Sequence, residues 1–413
     1  MSTRVQTLIV GAGQAGLALS ACLTRAGHDH LLLEQGRVAQ RWHTERWDSF
    51  RLLTPNWVNG LPDWPYVGDD PDGFLDRRQV TDFFEQYAAS FGAPVRTGVS
   101  VTAVRPGRAG WSVQTSAGRY LADNVVVATG HQGEPLTPGL ASRLPQGVHQ
   151  LHTSRYRNPS ALPPGGVLVV GSGPSGQQIA DELALAGRQV FIAVGRHRPI
   201  PRSYRGADVY AWMQRSGMLA RTVDTLADPR AALTAPSVVL AGEPEDLNLR
   251  RLVRHGVVPV GRLQAVEGPE LFFAADLATR LAEADHNVAR LREAVDTYIT
   301  RAGLDVPTEP APPDSLERWA STPPRRLDLR HDRIGTVLWA TGFGRDYSWI
   351  HAPVFHADGD PVQRRGVTAA DGLYFLGLRW MHRRDSNFIG GVGADAEYLA
   401  EFLTDTRDLR ATG

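Results

Sequence analysis

Two glycine-rich turns constrain the fold of this chain more than any other feature of its sequence. The first reads Gly11-Ala12-Gly13-Gln14-Ala15-Gly16; it follows the apolar run Val5–Val10 and precedes a helical stretch to Ala26 and a second apolar run, His30–Leu33. In a βαβ unit the first glycine allows a tight turn, the second lets the backbone approach a pyrophosphate, and the third lets the helix pack closely on the strand. The helix N-terminus then offers N–H groups to phosphates. This order predicts a dinucleotide-binding fold.

The residues after the second strand indicate which nucleotide the first turn binds. Glu34 and Gln35 follow His30–Leu33 directly. A carboxylate at this position accepts hydrogen bonds from a ribose hydroxyl, so Glu34 predicts a dinucleotide whose ribose carries no phosphate.

The same pattern returns in the middle of the chain. Gly166–Val170 predicts a strand, Gln177–Ala186 a helix and Gln189–Val194 a second strand, and the turn after the first strand reads Gly171-Ser172-Gly173-Pro174-Ser175-Gly176. No carboxylate follows the second strand; instead there are arginines, at Arg196, Arg198, Arg202 and Arg205. Such a cluster suits a 2′-phosphate, which predicts NADPH; Arg196, Arg202 and Arg205 are the candidate ligands, and a solvated basic loop is the alternative. One charge-assisted hydrogen bond contributes about 1.5–3 kcal/mol, or roughly ten- to a hundredfold selectivity over NADH.

Two further segments predict how these units are connected. Asn124–Gly130 and Thr336–Gly342 are both apolar runs ending in Ala-Thr-Gly, namely Ala128-Thr129-Gly130 and Ala340-Thr341-Gly342. Such strands close a nucleotide-binding sheet where small residues let the chain pass near the cofactor. The predicted fold class is therefore α/β, with two nested dinucleotide-binding (Rossmann-like) domains. We expect the outer domain at 1–160 and 326–413, and the inserted one at 161–325 with a partly helical insertion at 207–320. Pro-rich stretches at Pro159–Pro164 and Pro307–Pro324 mark the crossings.

One long helix is predicted within the insertion, over Asp276–Arg301. Its apolar positions alternate four and three apart and so share one face; they are Leu277, Leu281, Ala284, Val288, Leu291, Val295 and Tyr298. Asp276 can cap the helix. The stripe fits packing against the helix's own domain, and coiled-coil pairing in a homodimer is the alternative.

Composition excludes several classes of function. The formal net charge is +0, which argues against a nucleic-acid partner. All 44 basic side chains are Arg, so neither a Schiff-base lysine nor a Walker-type lysine is present. The single cysteine, Cys22, excludes an internal disulfide and a multi-cysteine metal site, and fits a reducing cytoplasm. His351 and His356 have no third ligand nearby, so no metal is expected. The apolar stretch Leu8–Leu23 is too short and glycine-rich for a membrane span.

Taken together, these motifs resemble the flavin-containing monooxygenases and their bacterial CzcO-like relatives. The resemblance covers nearly the whole chain and includes the stretch Arg46–Pro55 (RWDSFRLLTP) and a C-terminal strand, Gly372–Leu378, that leads to Gly391-Val392-Gly393. The signature that precedes the second turn in this family is only partly present, because Gly147–Tyr156 reads GVHQLHTSRY and keeps just His152 and Tyr156 in register. The longer Baeyer–Villiger version of that signature is absent.

The resemblance implies FAD in the first turn, NADPH in the second, and O₂ and a small molecule as co-substrates. NADPH would reduce FAD, oxygen would add at flavin C4a to give a hydroperoxyflavin, and a nitrogen or sulfur nucleophile would take the distal oxygen. A reductase or dehydrogenase that passes electrons to a partner or to oxygen is the alternative function, and a non-catalytic flavoprotein is a third. A disulfide reductase is disfavoured because the chain has no CxxC pair.

The resemblance also suggests residues around the flavin ring. Arg41 and Trp42 would lie along it, with an aromatic core as the alternative for Trp42, and Val101 is counted among the cofactor-binding residues. Asn56 is the catalytic candidate, with its amide near C4a. Backbone N–H groups of Gly391, Val392 and Gly393, at the start of the last helix, would stabilise negative charge on the reduced ring.

One cationic segment close to that helix is left open by the sequence. Arg379-Trp380-Met381-His382-Arg383-Arg384-Asp385 could form a gate for an anionic substrate or an internally paired surface loop.

Overall fold

A computed structural model of the chain describes residues 2–309 and 318–411. A first mixed sheet begins with six strands from the N-terminal third of the chain: β1 Ser2–Val10, β2 His30–Leu33, β3 Val95–Arg96, β4 Val101–Pro106, β5 Trp111–Thr115 and β6 Gly118–Val127. Strand β1 lies between β2 and β6 and is parallel to both. Its residues Leu8 and Ile9 are fully buried, as the apolar run predicts for a central strand.

A second sheet is formed by later segments of the chain. Its strands and those of a small antiparallel sheet beside it are β7 His149–His152, β8 Gly166–Val170, β9 Val190–Ala193, β10 Val258–Val260, β11 Leu263–Glu267, β12 Glu270–Phe273, β13 Arg326–Asp328 and β14 Ile334–Trp339. The second sheet has the order β10-β9-β8-β14-β7 and is parallel throughout. Strands β11 to β13 form the antiparallel sheet.

The chain then returns to the first sheet, which confirms the predicted nesting. Strand β15, Leu373–Phe375, pairs in parallel with β6. The predicted domain boundaries were wrong at both ends of the insertion, because β7 lies before residue 161 and β14 after residue 325. Both strands belong to the second sheet, since β14 pairs with β7 on one side and with β8 on the other. The second Ala-Thr-Gly strand therefore closes the inserted domain.

Helices cover the sheets and connect their strands. They are α1 Gln14–Arg25, α2 Gln40–Thr44, α3 Arg77–Ser90, α4 Pro174–Leu185, α5 Val209–Arg215, α6 Pro229–Thr234, α7 Leu249–Arg254, α8 Leu277–Ala302, α9 Arg318–Ser321 and α10 Val392–Ala411. Helix α1 packs against α10, so the N-terminal turn and the C-terminal helix support each other. None of the helices within residues 2–309 and 318–411 is both long and apolar enough to cross a bilayer.

Helix α8 matches the predicted long helix and ends where Gly303 adopts the left-handed conformation, with φ 62°. Its apolar stripe packs on its own domain: Val295 and Ile299 are buried with Tyr204 and Trp212. Asp276 is at the N-cap, but the predicted capping bond was wrong, because the carboxylate accepts from the Arg262 N–H and pairs with Arg280 instead. The predicted crossing at Pro307–Pro324 falls partly on residues outside the described ranges.

Candidate functional site

A cavity of about 1300 Å³ opens between the two sheets and is lined by residues of both glycine-rich turns. A site for one small ligand occupies roughly 300–1,000 Å³, so this cavity has room for more than one. Several residues predicted to bind cofactor line it; they are Gly11, Gly13, Gln14, Ala15, Glu34, Gln35, Arg41, Trp42, Val101, Thr129, Gly130, Pro174, Ser175 and Arg196. The fold thus brings residues from distant segments of the chain to one cavity.

The first turn has the geometry that its glycines predict. A Cβ on Gly16 would lie 1.9 Å from the Gly11 carbonyl oxygen, and one on Gly11 would lie 2.7 Å from the Ala128 oxygen. A Cβ on Gly13 would meet nothing within 4 Å, so this backbone is open to a ligand. No side chain caps helix α1 at Gly13. The first and third glycines therefore shape the turn, and the second leaves a helix N-terminus free for a phosphate.

The second turn repeats this geometry at the start of α4. A Cβ on Gly171 would lie 2.4 Å from the Ala340 oxygen, and one on Gly176 would lie 2.1 Å from the Gly171 oxygen. Gly173 is open in the same way as Gly13, and no side chain caps the helix. Gly171, Ser172, Gly173 and Gly176 do not line the cavity themselves; they shape a turn that presents Pro174 and Ser175 to it.

Glu34 is held in place beside the first turn. Its carboxylate accepts hydrogen bonds from the N–H groups of Ala12 at 2.9 Å and Gly36 at 3.0 Å, and the residue is only 9% exposed. Each carboxylate oxygen has a second lone pair, so the group can still accept from a ligand hydroxyl. The position fits the predicted ribose contact.

The basic cluster after the second turn needs correction. Arg202 is 2% exposed and does not line the cavity; its guanidinium pairs with Asp208 at 3.0 Å and donates to the Leu53 carbonyl oxygen at 2.8 Å. Arg205 pairs with Asp296 at 3.2 Å and also lies outside the cavity. The prediction that these two arginines bind the 2′-phosphate was therefore wrong, because acidic residues of the same domain already neutralise them.

Arg198 and Arg290 face the cavity where Arg202 and Arg205 do not. Arg198 lines the cavity with Arg196. Arg290 reaches the cavity from α8, which packs against the short strand Arg198–Pro199. Burial and the nearby Arg290 lower the pKa of Arg198. Cavity-lining residues of α8 recur three and four apart, at Glu283, His286, Asn287 and Arg290. The spacing of these polar residues is a sequence signal for a second functional face on α8, opposite in character to its apolar stripe.

The aromatic segment after the first unit lines the cavity and is also part of the core. The Trp42 ring stacks on Phe84 at 6.2 Å, and the Arg46 guanidinium lies over it at 4.9 Å. Arg41 donates to the Gly133 carbonyl oxygen at 3.3 Å. Trp42 therefore belongs to the aromatic core and also lines the cavity, and its contact with the flavin stays a prediction.

Asn56 does not have the catalytic position predicted for it. The residue is 3% exposed and outside the cavity lining. Its amide donates to the Asp70 carbonyl oxygen at 2.9 Å and accepts from the Leu75 N–H at 2.9 Å. Asn56 thus fixes the loop over residues 70–75, while Thr54 reaches the cavity. The prediction failed because two backbone groups occupy the amide.

The glycines that begin the last helix also have a packing role. None of Gly391, Val392 and Gly393 lines the cavity, and the N–H groups of Gly391 and Val392 already donate to the Phe388 carbonyl oxygen. A Cβ on Gly391 would lie 2.1 Å from the Asp385 oxygen. The predicted contact of this turn with the flavin ring is corrected accordingly; the preceding residues Asn387, Phe388 and Ile389 form the wall.

The second Ala-Thr-Gly segment supports the crossing between domains. Thr341 donates to the Leu136 carbonyl oxygen, and the Gly342 carbonyl oxygen is hydrogen-bonded to His152 at 3.0 Å. Neither residue lines the cavity, contrary to the prediction, because these bonds hold them at the crossing. Tyr156, the other signature residue, is fully buried and donates to Glu182 at 2.8 Å.

His131 lines the cavity and was not singled out from the sequence. It follows the first Ala-Thr-Gly segment directly. Burial, and then the nearby Arg345 and Arg379, lower the pKa of His131 to about 4. The imidazole is therefore neutral near pH 7 and can accept or donate a hydrogen bond within the cavity.

The cationic C-terminal segment divides into two kinds of residue. Arg379 and Arg384 line the cavity, whereas Arg383 forms a two-bond ion pair with Asp385, at 2.9 and 2.6 Å. Over the described ranges of the chain, no group of histidines, cysteines and acids is arranged to hold a metal ion.

The two turns fit two dinucleotides, since each combines an uncapped helix N-terminus with an open glycine and both present residues to the same cavity. This arrangement defines the class of flavoprotein oxidoreductases that use FAD and NADP(H).

Comparison with known proteins supports the same class. The family model of pyridine nucleotide-disulphide oxidoreductases matches residues 8–214. A CzcO-like oxidoreductase of Geobacillus kaustophilus is 33% identical over 399 residues, which cover 96% of this chain and 97% of that protein. The probable indole-3-pyruvate monooxygenase YUCCA4 of Arabidopsis thaliana is 34% identical over 207 residues, or 49% of this chain and 50% of that one. The structure of a flavin-containing monooxygenase from Stenotrophomonas maltophilia covers 98% of this chain and 99% of its own, with 19% identity and a TM-score of 0.67.

The chain belongs to the pyridine nucleotide-disulphide oxidoreductase family, among the CzcO-like oxidoreductases of the flavin-containing monooxygenase group.

Proposed function

We propose that this protein uses NADPH and FAD to transfer one oxygen atom of O₂ to the nitrogen or sulfur of a small molecule. In the balanced reaction, substrate, O₂, NADPH and a proton give oxygenated substrate, NADP⁺ and water. The observation that carries the proposal is the shared cavity, because Gly13 and Ser175, from the two turns, line the same space. Hydride transfer from a nicotinamide to a flavin requires such a shared space.

Each phosphate group has a set of donors in this proposal. The N-terminus of α1 would hold the FAD pyrophosphate and Glu34 its ribose, whereas the N-terminus of α4 would hold the NADPH pyrophosphate. Arg196, Arg198 and Arg290, which line the cavity, would hold the 2′-phosphate of NADPH in place of the excluded Arg202 and Arg205. FAD, when bound, supplies the redox chemistry that activates oxygen.

The protein's own side chains orient the reactants and keep out water. Trp42, Phe50 and Tyr347 provide apolar walls on the side of the first turn. His131 provides a neutral imidazole that can form a hydrogen bond at the cavity surface, because burial, and then the neighbouring arginines, disfavour its charged form. The aromatic walls would limit the access of water to a flavin and a substrate bound beside them.

A reductase that passes electrons to a partner or to oxygen remains the competing function. A disulfide substrate would ordinarily require a redox-active cysteine pair, but the chain has only Cys22, which is 3% exposed. Burial raises the pKa of the Cys22 thiol to about 12, so it is unreactive near pH 7. This observation favours oxygenation over disulfide reduction.

Oxygen isotope labelling tests the proposal. The purified flavoprotein is supplied with NADPH and ¹⁸O₂ and a panel of amines and thioethers, and both labelled product and hydrogen peroxide are quantified. We expect one ¹⁸O atom in the product for each NADPH consumed with a good substrate. NADPH consumption matched by hydrogen peroxide across the whole panel would favour the reductase.

A further inference from the structure

Two arginines in the cavity carry charges that no acidic residue neutralises. Within residues 2–309 and 318–411, neither Arg379 nor Arg384 forms an ion pair or a side-chain hydrogen bond. Among the neighbouring arginines, Arg383 pairs with Asp385 and Arg345 with Asp360. Arg198, which is close to both Arg379 and Arg384, is assigned to the 2′-phosphate in the proposed function. A half-buried guanidinium without a partner is costly unless a ligand supplies the anion.

Neighbouring cations raise the electrostatic cost of leaving Arg379 and Arg384 without an anion. Burial, and then the nearby Arg198, lower the pKa of Arg384 to about 10. Burial, Arg198 and Arg345 lower the pKa of Arg379 as well. Both groups remain charged near pH 7, so positive charge is concentrated at one wall of the cavity, where an anion would be attracted.

The phosphates of the two cofactors do not account for these two arginines. In the proposed arrangement each pyrophosphate lies at a helix N-terminus, and the 2′-phosphate lies between Arg196, Arg198 and Arg290. Arg379 and Arg384 come instead from the segment that leads to Asn387, whose carbonyl oxygen accepts from Gln14 of the first turn at 2.7 Å. Both arginines are also close enough to Arg198, which follows the second turn, for it to lower their pKa. They therefore lie on the part of the cavity wall between the two nucleotide turns.

Apolar side chains line the cavity beside Arg384. Tyr210 and Phe388 have ring centroids 6.3 Å apart, and Met213 lines the cavity next to them. Tyr210 is close enough to Arg384 to raise its pKa. The wall thus combines a cationic end with an aromatic and thioether surface, which is complementary to a ligand that has one anionic and one apolar end.

We propose that Arg379 and Arg384 bind the carboxylate of the substrate, and that its apolar part lies against Tyr210, Met213 and Phe388. The substrate class is then a small amphiphilic carboxylate that carries the oxygen-accepting nitrogen or sulfur. This inference rests on the proposed function and names the substrate class for the same site.

Ligand binding to the oxidised holoprotein tests the inference without turnover. The probes are 4-phenylbutanoate and its uncharged analogue 4-phenylbutanamide, and binding is followed by calorimetry and by the change in flavin absorbance. We expect the wild-type protein to bind the carboxylate at least tenfold more tightly than the amide. Equal affinities for the two probes, or no binding of either, would overturn the inference without any variant.

Substitution of Arg384 distinguishes substrate from cofactor. Arg384→Gln should weaken binding of the carboxylate at least tenfold and leave both the affinity for the amide and the KM for NADPH within about threefold, and Arg384→Lys should recover part of the loss. Arg301→Gln, at an exposed position of α8 outside the cavity, is the matched control and should change nothing. A higher KM for NADPH with unchanged carboxylate affinity would assign Arg384 to a cofactor phosphate and overturn the inference.

The inference and the proposed function fail in different ways. Tight, charge-dependent binding of the carboxylate by a protein that makes only hydrogen peroxide would overturn the proposed function and support an anionic-ligand site. Efficient oxygenation of uncharged thioethers without discrimination between the two probes would overturn the carboxylate site alone.

Discussion

The two glycine-rich turns of this protein are nearly identical in backbone geometry and differ in the side chains around them. In both turns the third glycine packs against the first glycine's carbonyl oxygen, at 1.9 Å for a Cβ on Gly16 and 2.1 Å for one on Gly176. Beside the first turn is Glu34; beside the second are Arg196, Arg198 and Arg290. We propose that the shared geometry accommodates a pyrophosphate and that the differing charges distinguish the two riboses.

Adding a methyl group to one turn at a time should have the largest effect on cofactor binding and should affect the two cofactors differently. Gly16→Ala should abolish FAD binding and Gly176→Ala should spare FAD while weakening NADPH about 100-fold, because overpacking against backbone cannot be relieved. FAD content and NADPH affinity are measured on both variants. Gly147→Ala, where a Cβ meets nothing within 4 Å, is the control. Loss of FAD in Gly176→Ala with normal NADPH affinity would reverse the assignment of the two turns.

Removing the cations of the second turn should make the two nucleotide sites more alike. For Arg198→Gln and for Arg290→Gln taken singly, we expect the ratio of kcat/KM for NADPH to that for NADH to fall roughly ten- to a hundredfold, since one lost charge-assisted bond is worth about 1.5–3 kcal/mol. Anaerobic flavin reduction gives both constants. Arg205→Gln is the control, because Arg205 pairs with Asp296 outside the cavity. A fall in this ratio for Arg205→Gln alone would support the sequence prediction that Arg205 binds the 2′-phosphate.

Neutralising the acidic partner of the first turn has a smaller expected effect. Glu34→Gln should weaken FAD about tenfold, because the amide loses a charge-assisted hydrogen bond to the ribose but keeps an acceptor for Ala12. FAD affinity is measured by fluorescence on protein stripped of flavin and reconstituted, with the KM for NADPH as an internal reference. A similar change in both cofactors would show that Glu34 acts only through the turn's stability.

The smallest predicted effect compares the residues that follow the two Ala-Thr-Gly segments, His131 and Phe343. The folded-state pKa of His131, about 4, is below its ordinary value, so the unfolded chain takes up a proton first as the pH falls. His131 therefore has little effect on the free energy of unfolding above about pH 6.5. As the pH falls from 7 to 5.5, it lowers that free energy by about 1 kcal/mol. Denaturant unfolding at both pH values should show this loss, and His131→Gln should reduce it by that amount. Phe343→Leu, which introduces no titratable group, should retain it.

Local patterns in the sequence predicted the backbone far better than they predicted side-chain roles. The turns, β2 and β8 follow from glycine spacing and apolar runs, which depend on neighbouring residues alone. Asn56 and Arg202 were assigned wrongly because their partners, Asp70 and the Leu53 carbonyl among them, are brought to them only by the fold.

The features that the sequence prediction missed also depend on contacts between segments that are far apart in the chain. Arg290 joins Arg198 because α8 packs on the strand that contains Arg198, and nothing near either residue indicates this. The ends of the inserted domain shifted for the same reason, since β7 and β14 are neighbours in the sheet and far apart in the chain.

Anaerobic mixing of the oxidised flavoprotein with NADPH or NADH tests most directly whether the two turns serve one cavity with different nucleotides. The account predicts that NADPH removes the yellow absorbance of the bound flavin in a saturable reaction, with kcat/KM at least tenfold above that for NADH. Flavin that stays oxidised with both nucleotides, or that is reduced more efficiently by NADH, would contradict it.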